Sequence, residues 1–107
     1  EFLPTFQKHS NVLCGGTFAH VLDRAEFKPV MTGVAMVKTC FDLYTENFRW
    51  KNPPYEYVYD RNPFDVIAGT TLLRESIERG SDLSELFVSW KADETQFQNL
   101  RKKYLLY

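Results

Sequence analysis

The pattern of apolar and polar positions divides the chain into an extended half and a helical half. Over residues 2–8, Phe2, Pro4 and Phe6 alternate with Leu3, Thr5 and Gln7, the period-2 pattern of a strand. His9-Ser10-Asn11 follows as a turn, and Val12–Leu22 reads as a second, longer strand. Thr17, Ala19 and Val21 fall on one of its faces and Phe18, His20 and Leu22 on the other. Apolar residues on both faces predict a central position in a sheet. Gly15-Gly16 inside the strand predicts a bulge or a close approach of another part of the chain.

Beyond the polar link Asp23-Arg24-Ala25-Glu26, the period changes to that of a helix. Pro29 suits a first turn, and Val30, Val34, Val37, Phe41 and Tyr44 recur at helical spacing over about four turns. Gly33 inside this helix costs about 1 kcal/mol relative to Ala, which a tight helix–sheet contact would explain. Asn52-Pro53-Pro54 breaks the chain, and Tyr55, Tyr57 and Tyr59 alternate with Glu56, Val58 and Asp60 as a short strand.

Asn62-Pro63-Phe64-Asp65 is a helix start, with Asn62 as N-cap, Pro63 in the first position and Asp65 facing the unpaired amides. Gly69 closes that helix. Thr70 or Thr71 caps the next, which carries Leu72, Leu73 and Ile77 and ends at Gly80. Asp82 and Glu85 make a capping-box-like start for a third, striped by Leu83, Leu86, Phe87 and Trp90. Phe97, Leu100 and Tyr104 lie on a last helix or on a continuation of that one, and Tyr104-Leu105-Leu106-Tyr107 reads as a terminal strand or docked tail.

The fold class expected from these elements is α+β, with α/β-like character: a small mixed or antiparallel sheet with an N-terminal hairpin, packed by four to five helices. The length of 107 residues is that of one domain. Glu1-Phe2-Leu3-Pro4-Thr5-Phe6 reads as ordered chain cut from inside a longer protein.

Charge narrows the chemistry. A net charge of −1 gives no electrostatic reason to expect nucleic acid or an anionic membrane as partner. Arg101-Lys102-Lys103 is short enough to be a solvated helix end. No apolar run approaches the roughly 20 residues of a membrane span. Nine Phe, six Tyr and two Trp form a ring-rich core, or, where Tyr and Trp are exposed, a surface that stacks on sugars. Cys14 and Cys40, with His9 and His20, show no zinc spacing, so no metal and no cofactor is expected; the two cysteines are either bridged or free.

Four residues stand out as candidates for a substrate cleft. His20 is either a satisfied core histidine, the leading reading, or a hydrogen-bonding group near Asp23 and Arg24. Asp65 is a capping carboxylate or an oxygen offered to a substrate hydroxyl. Tyr57, flanked by Glu56, Asp60 and Arg61, belongs to an ordinary strand edge or to a sugar-stacking strip. Glycoside hydrolysis needs two carboxyl groups roughly 5–10 Å apart, and spacing along the chain places no such pair. No nucleophile set, P-loop or dinucleotide loop is present.

The order of motifs is more specific than any one of them. Cys14-Gly15-Gly16-Thr17-Phe18-Ala19-His20-Val21-Leu22-Asp23-Arg24 precedes Phe27-Lys28-Pro29-Val30 and Thr32-Gly33. Tyr55-Glu56-Tyr57 leads to Asn62-Pro63-Phe64-Asp65-Val66-Ile67-Ala68-Gly69-Thr70. Ser89-Trp90, Phe97, Arg101 and Tyr104-Leu105-Leu106-Tyr107 close the chain. Over nearly its whole length the chain resembles the C-terminal domain of the NamZ-type exo-β-N-acetylmuramidases, departing in Thr17-Phe18-Ala19 ahead of the histidine.

The resemblance implies one domain, residues 1–107, from a larger two-domain protein that is exported to the periplasm or beyond. The parent implied is a glycoside hydrolase releasing N-acetylmuramic acid from non-reducing ends of peptidoglycan fragments. The partner implied is an N-terminal Rossmann-like domain that carries the principal catalytic acid, so no catalytic role passes to this chain. It also places His20 and Asp23 in the strand motif and Asp65 in the Pro-Phe-Asp motif, facing a cleft that would hold a peptidoglycan-derived sugar. The alternative is a non-catalytic wall-binding or structural module.

Overall fold

A computed structural model describes residues 1–106. Four helices account for its regular structure: α1 (Pro29–Leu43), α2 (Pro63–Ala68), α3 (Leu72–Glu78) and α4 (Leu83–Arg101). The helix-forming half therefore follows the sequence pattern. Asn62 Oδ1 accepts from the Phe64 amide at 2.9 Å, and Asp82 Oδ1 accepts from the Ser84 amide at 2.8 Å. Thr70 supplies the hydroxyl at the start of α3, accepting from the Leu72 amide at 3.2 Å. Gly69 (φ 73°) and Gly80 (φ 69°) end their helices in the left-handed conformation that glycine adopts without strain. Residues 83–101 form one continuous helix.

The expected sheet is absent among the described residues, and the fold is helical rather than α+β. Phe2 and Cys14 exchange two backbone hydrogen bonds of 2.9 Å, which is one antiparallel bridge, and with the Asn11 amide donating to the Pro4 carbonyl at 2.9 Å it is what remains of the N-terminal hairpin. Positive φ angles at Gln7, His9 and Asn11 curl the intervening segment. Past Gly15-Gly16 no second extended segment lies alongside among the described residues. A strand is stable only against a neighbour that takes up its backbone groups. Residues 17–22 accordingly lie open, with Phe18 82% and Leu22 97% exposed.

The tyrosine segment fails as a strand for a local reason. Glu56 sits at φ 51°, and Tyr55 and Val58 bond to each other across a tight turn at 2.9–3.0 Å. Tyr55, Tyr57 and Tyr59 therefore do not share one face of a strand. At the other end Tyr104, Leu105 and Leu106 are exposed rather than docked, and Tyr107 lies outside the described residues.

The glycines divide in the same way. Gly16 meets the expectation of a close approach, because an added Cβ there would lie 3.1 Å from the Phe2 ring. Gly33 has open space around it, so no helix–sheet contact accounts for its place in α1.

The core is small and centred on α3, which packs against both α1 and α2. Val34, Leu73, Ile77 and Leu83 are buried, one residue from α1, two from α3 and one from α4. An aromatic layer extends it. Trp50 lies 4.9 Å from Phe48, 4.9 Å from Phe64 and 6.3 Å from Phe41, ring centre to ring centre. These separations are those of interacting rings, and they tie the chain beyond α1 to the start of α2. Among the described residues no helix is long and apolar enough to cross a membrane.

Candidate functional site

The short helices α2 and α3 are joined through Gly69 into a tight helical hairpin, and one ion pair locks it. Asp65, in the first turn of α2, is 8% exposed. Its Oδ2 takes the Arg74 Nη2 at 2.9 Å, and both its oxygens take Nε at 2.9–3.0 Å. The guanidinium reaches on to Glu78, one turn later in α3, through Nη1 at 3.1–3.2 Å. A planar cation forked between two carboxylates gives directional, charge-assisted bonds. The hydrogen bond to Asp65, opposed by burial and helped by Glu78, raises the Arg74 pKa further above its ordinary value. The cation is permanent under any working condition.

Asp65 is thus a held carboxylate. Its oxygens point at Arg74 rather than at the amides of its own helix. Sequence reading missed Arg74 and Glu78, although the signal was there: a nine-residue step across a glycine-closed turn, followed by an i,i+4 Arg–Glu pair.

The other three candidates lie on the surface. His20 is exposed, with its ring edge-on to Phe18 at 4.5 Å between centroids. It is not a core histidine. Asp23 is exposed and accepts from the Ala25 amide at 2.7 Å, closing a turn before α1. Tyr57 projects from the tip of the 55–58 turn, 88% exposed. Among the described residues no hydrogen bond or ion pair joins His20, Asp23, Tyr57 and Asp65 to one another. Cys14 and Cys40 are both free thiols. The Trp50 indole N–H is buried beside Phe64 without an acceptor among the described residues.

A concavity that the sequence did not announce lies between the start of α1 and the middle of α4. Its volume is about 500 Å³. The floor is Met31, Phe87 and Trp90, all half-buried, with the two rings 5.1 Å apart and inclined at 58°. Lys28, Lys91 and Glu94 form an exposed rim. Phe87, Trp90, Lys91 and Glu94 lie at i, i+3, i+4 and i+7, one face of α4. Phe87 and Trp90 pack against the buried cluster, as the apolar stripe predicts, and the part of each side chain left over lines the groove.

Comparison with known proteins gives the family of the chain. The whole chain, residues 1–107, matches the family described as exo-β-N-acetylmuramidase NamZ, C-terminal. The chain is 38% identical over 107 residues to the peptidoglycan β-N-acetylmuramidase NamZ of Bacillus subtilis (strain 168). That alignment takes in 100% of this chain and 24% of the relative, so the chain spans about a quarter of the length of the protein it matches. No solved structure matches it.

Proposed function

Since the chain belongs to the family of NamZ exo-β-N-acetylmuramidase C-terminal domains, we propose that it is the accessory, cleft-forming domain of an exported glycoside hydrolase. The observation that carries this is the unbroken match of all 107 residues to the C-terminal family, together with a relative four times as long that is named a peptidoglycan β-N-acetylmuramidase. The parent's reaction is hydrolysis of a β-1,4 bond that frees N-acetylmuramic acid from the non-reducing end of a peptidoglycan fragment. The principal acid resides in a Rossmann-like N-terminal domain, and this chain supplies one wall of the cleft.

The site residues take distinct parts in that reading. His20 and Asp23 stand on an exposed segment, available to hydroxyl and amide groups of a sugar. Tyr57 offers an uncovered ring at the foot of α2, and an aromatic face suits the C–H face of a pyranose. Asp65 contributes through Arg74, by fixing the α2–α3 hairpin on which that wall stands.

The reading is tested by assaying a chromogenic muramyl glycoside with the full-length parent and with the 107-residue chain. Turnover is expected from the parent only, and measurable turnover by the chain alone overturns the accessory role. The exposed rings of Tyr57 and Tyr59 favour a second reading, a wall-binding module. Sedimentation of the isolated chain with insoluble peptidoglycan favours that reading. Sedimentation of the full-length parent alone favours the first.

A further inference from the structure

The groove between α1 and α4 has the construction of a small-ligand site. About 500 Å³ lies within the roughly 300–1,000 Å³ range of such sites, which are apolar concavities with a few placed polar groups. Its apolar part is Met31 and the inclined pair Phe87 and Trp90, which pack against the core and are half-buried. Its polar part is unbalanced: two ammonium groups, Lys28 and Lys91, stand against one carboxylate, Glu94. Among the described residues none of the three takes part in an ion pair. Helical spacing fixes Lys91 beside Trp90 and a turn from Phe87, so aromatic floor and cation move as one unit.

A ligand that satisfies both parts needs a flat apolar face and an anionic substituent at its edge. We propose that this groove binds a carboxylate-bearing pyranose, its ring lying on Trp90 and Phe87 and its carboxylate held by Lys91 and Lys28. The assignment rests on the peptidoglycan reading above and gives that reading a specific place of sugar contact. A neutral sugar would keep the stacking and lose the charge-assisted bonds, so the groove selects acidic over neutral sugars.

The test uses the full-length protein labelled with 5-fluorotryptophan, the Trp90 signal being assigned by its loss in Trp90→Leu. N-acetylmuramic acid and N-acetylglucosamine are titrated separately. The acidic sugar is expected to shift the Trp90 signal at a lower midpoint than the neutral one. In the Lys28→Gln, Lys91→Gln double variant the acidic midpoint is expected to rise by about a hundredfold, roughly tenfold for each of the two lost charge-assisted hydrogen bonds, and to approach the neutral midpoint. Both lysines are exposed, so the double variant leaves the core intact. A Trp90 signal unmoved by saturating acidic sugar overturns the proposal, as does unchanged discrimination in the double variant. Either result alongside normal hydrolysis of muramyl glycosides leaves the hydrolase reading standing. Failure of the wild-type parent to hydrolyse them removes that reading instead, and the Trp90 titration then judges the groove by itself.

Discussion

Both oxygens of Asp65 are committed to one guanidinium, and the pair is nearly dry on its acidic side, with 7% of the Asp65 side chain exposed. Removing one member of such a pair leaves the other charged and half-buried, and that penalty exceeds the worth of the bond itself. Asp65→Ala is expected to cost about 3 kcal/mol, read by urea denaturation. Glu78→Gln, which removes the more exposed arm of the fork, is expected to cost no more than about 0.5 kcal/mol. The opposite sign is expected at Gly33. The position is helical, exposed and free of any neighbour within 4 Å, so Gly33→Ala is expected to stabilise by about 1 kcal/mol. A fall in the unfolding midpoint would show that a contact does occupy that space. These two residues also show what the sequence could disclose. It marked Asp65 by its place in a helix start, yet the partner is set by how two helices fold back on each other. It marked Gly33 as costly, yet could not say that no contact offsets the cost.

Helices were legible because their signals are local. Asn62, Thr70, Asp82, Gly69 and Gly80 each act on backbone groups within a few residues; four act where the pattern placed them, and Thr70 is one of the two threonines it offered. Strands were not, because a strand is decided by a partner elsewhere in the chain. The Tyr55–Tyr59 alternation is genuine, but Glu56 at φ 51° turns it into a loop tip. Within α4 the cap is an ionised one. Hydrogen bonds from the Ser84 amide and then the Ser84 hydroxyl lower the Asp82 pKa below its ordinary value. A folded-state pKa below the unfolded one means stability that is present in full above the unfolded carboxylate's pKa. It is lost as pH falls through the lowered, folded value. Helicity at 222 nm and melting temperature are therefore expected to decline on acidification through that window. Asp82→Asn, which keeps a capping oxygen without its charge, is expected to flatten the decline, and an equal slope in the variant would rule the cap out as its source. The half of α4 beyond Trp90 lies exposed, Phe97 and Leu100 included, so its helicity rests on the anchored half.

At the scale of the whole molecule, the radius of gyration is 17.3 Å, against about 13 Å for a close-packed chain of this length. The N-terminal segment, where Phe6, Leu13, Phe18 and Leu22 all lie open, and the exposed half of α4 beyond Trp90 are the parts that stand away from the core. Hydrogen exchange on the isolated chain is expected to split accordingly. Amides in α1 and α3 should be protected, whereas residues 15–22 should exchange at close to unprotected rates. Protection across 15–22 in the isolated chain would contradict the open segment. The apolar alternation there is plain in the sequence, but alternation records only that two faces want cover, not that the chain itself supplies it. The buried cluster carries a last consequence, for synthesis. Val34 shares the buried cluster with Leu73, Ile77 and Leu83, all of which lie beyond α2 in the chain. A ribosome must therefore deliver the chain through α3 before Val34 can meet the side chains that bury it. Until then that position on α1 stands uncovered, and the ribosome surface or a chaperone is what can shield it.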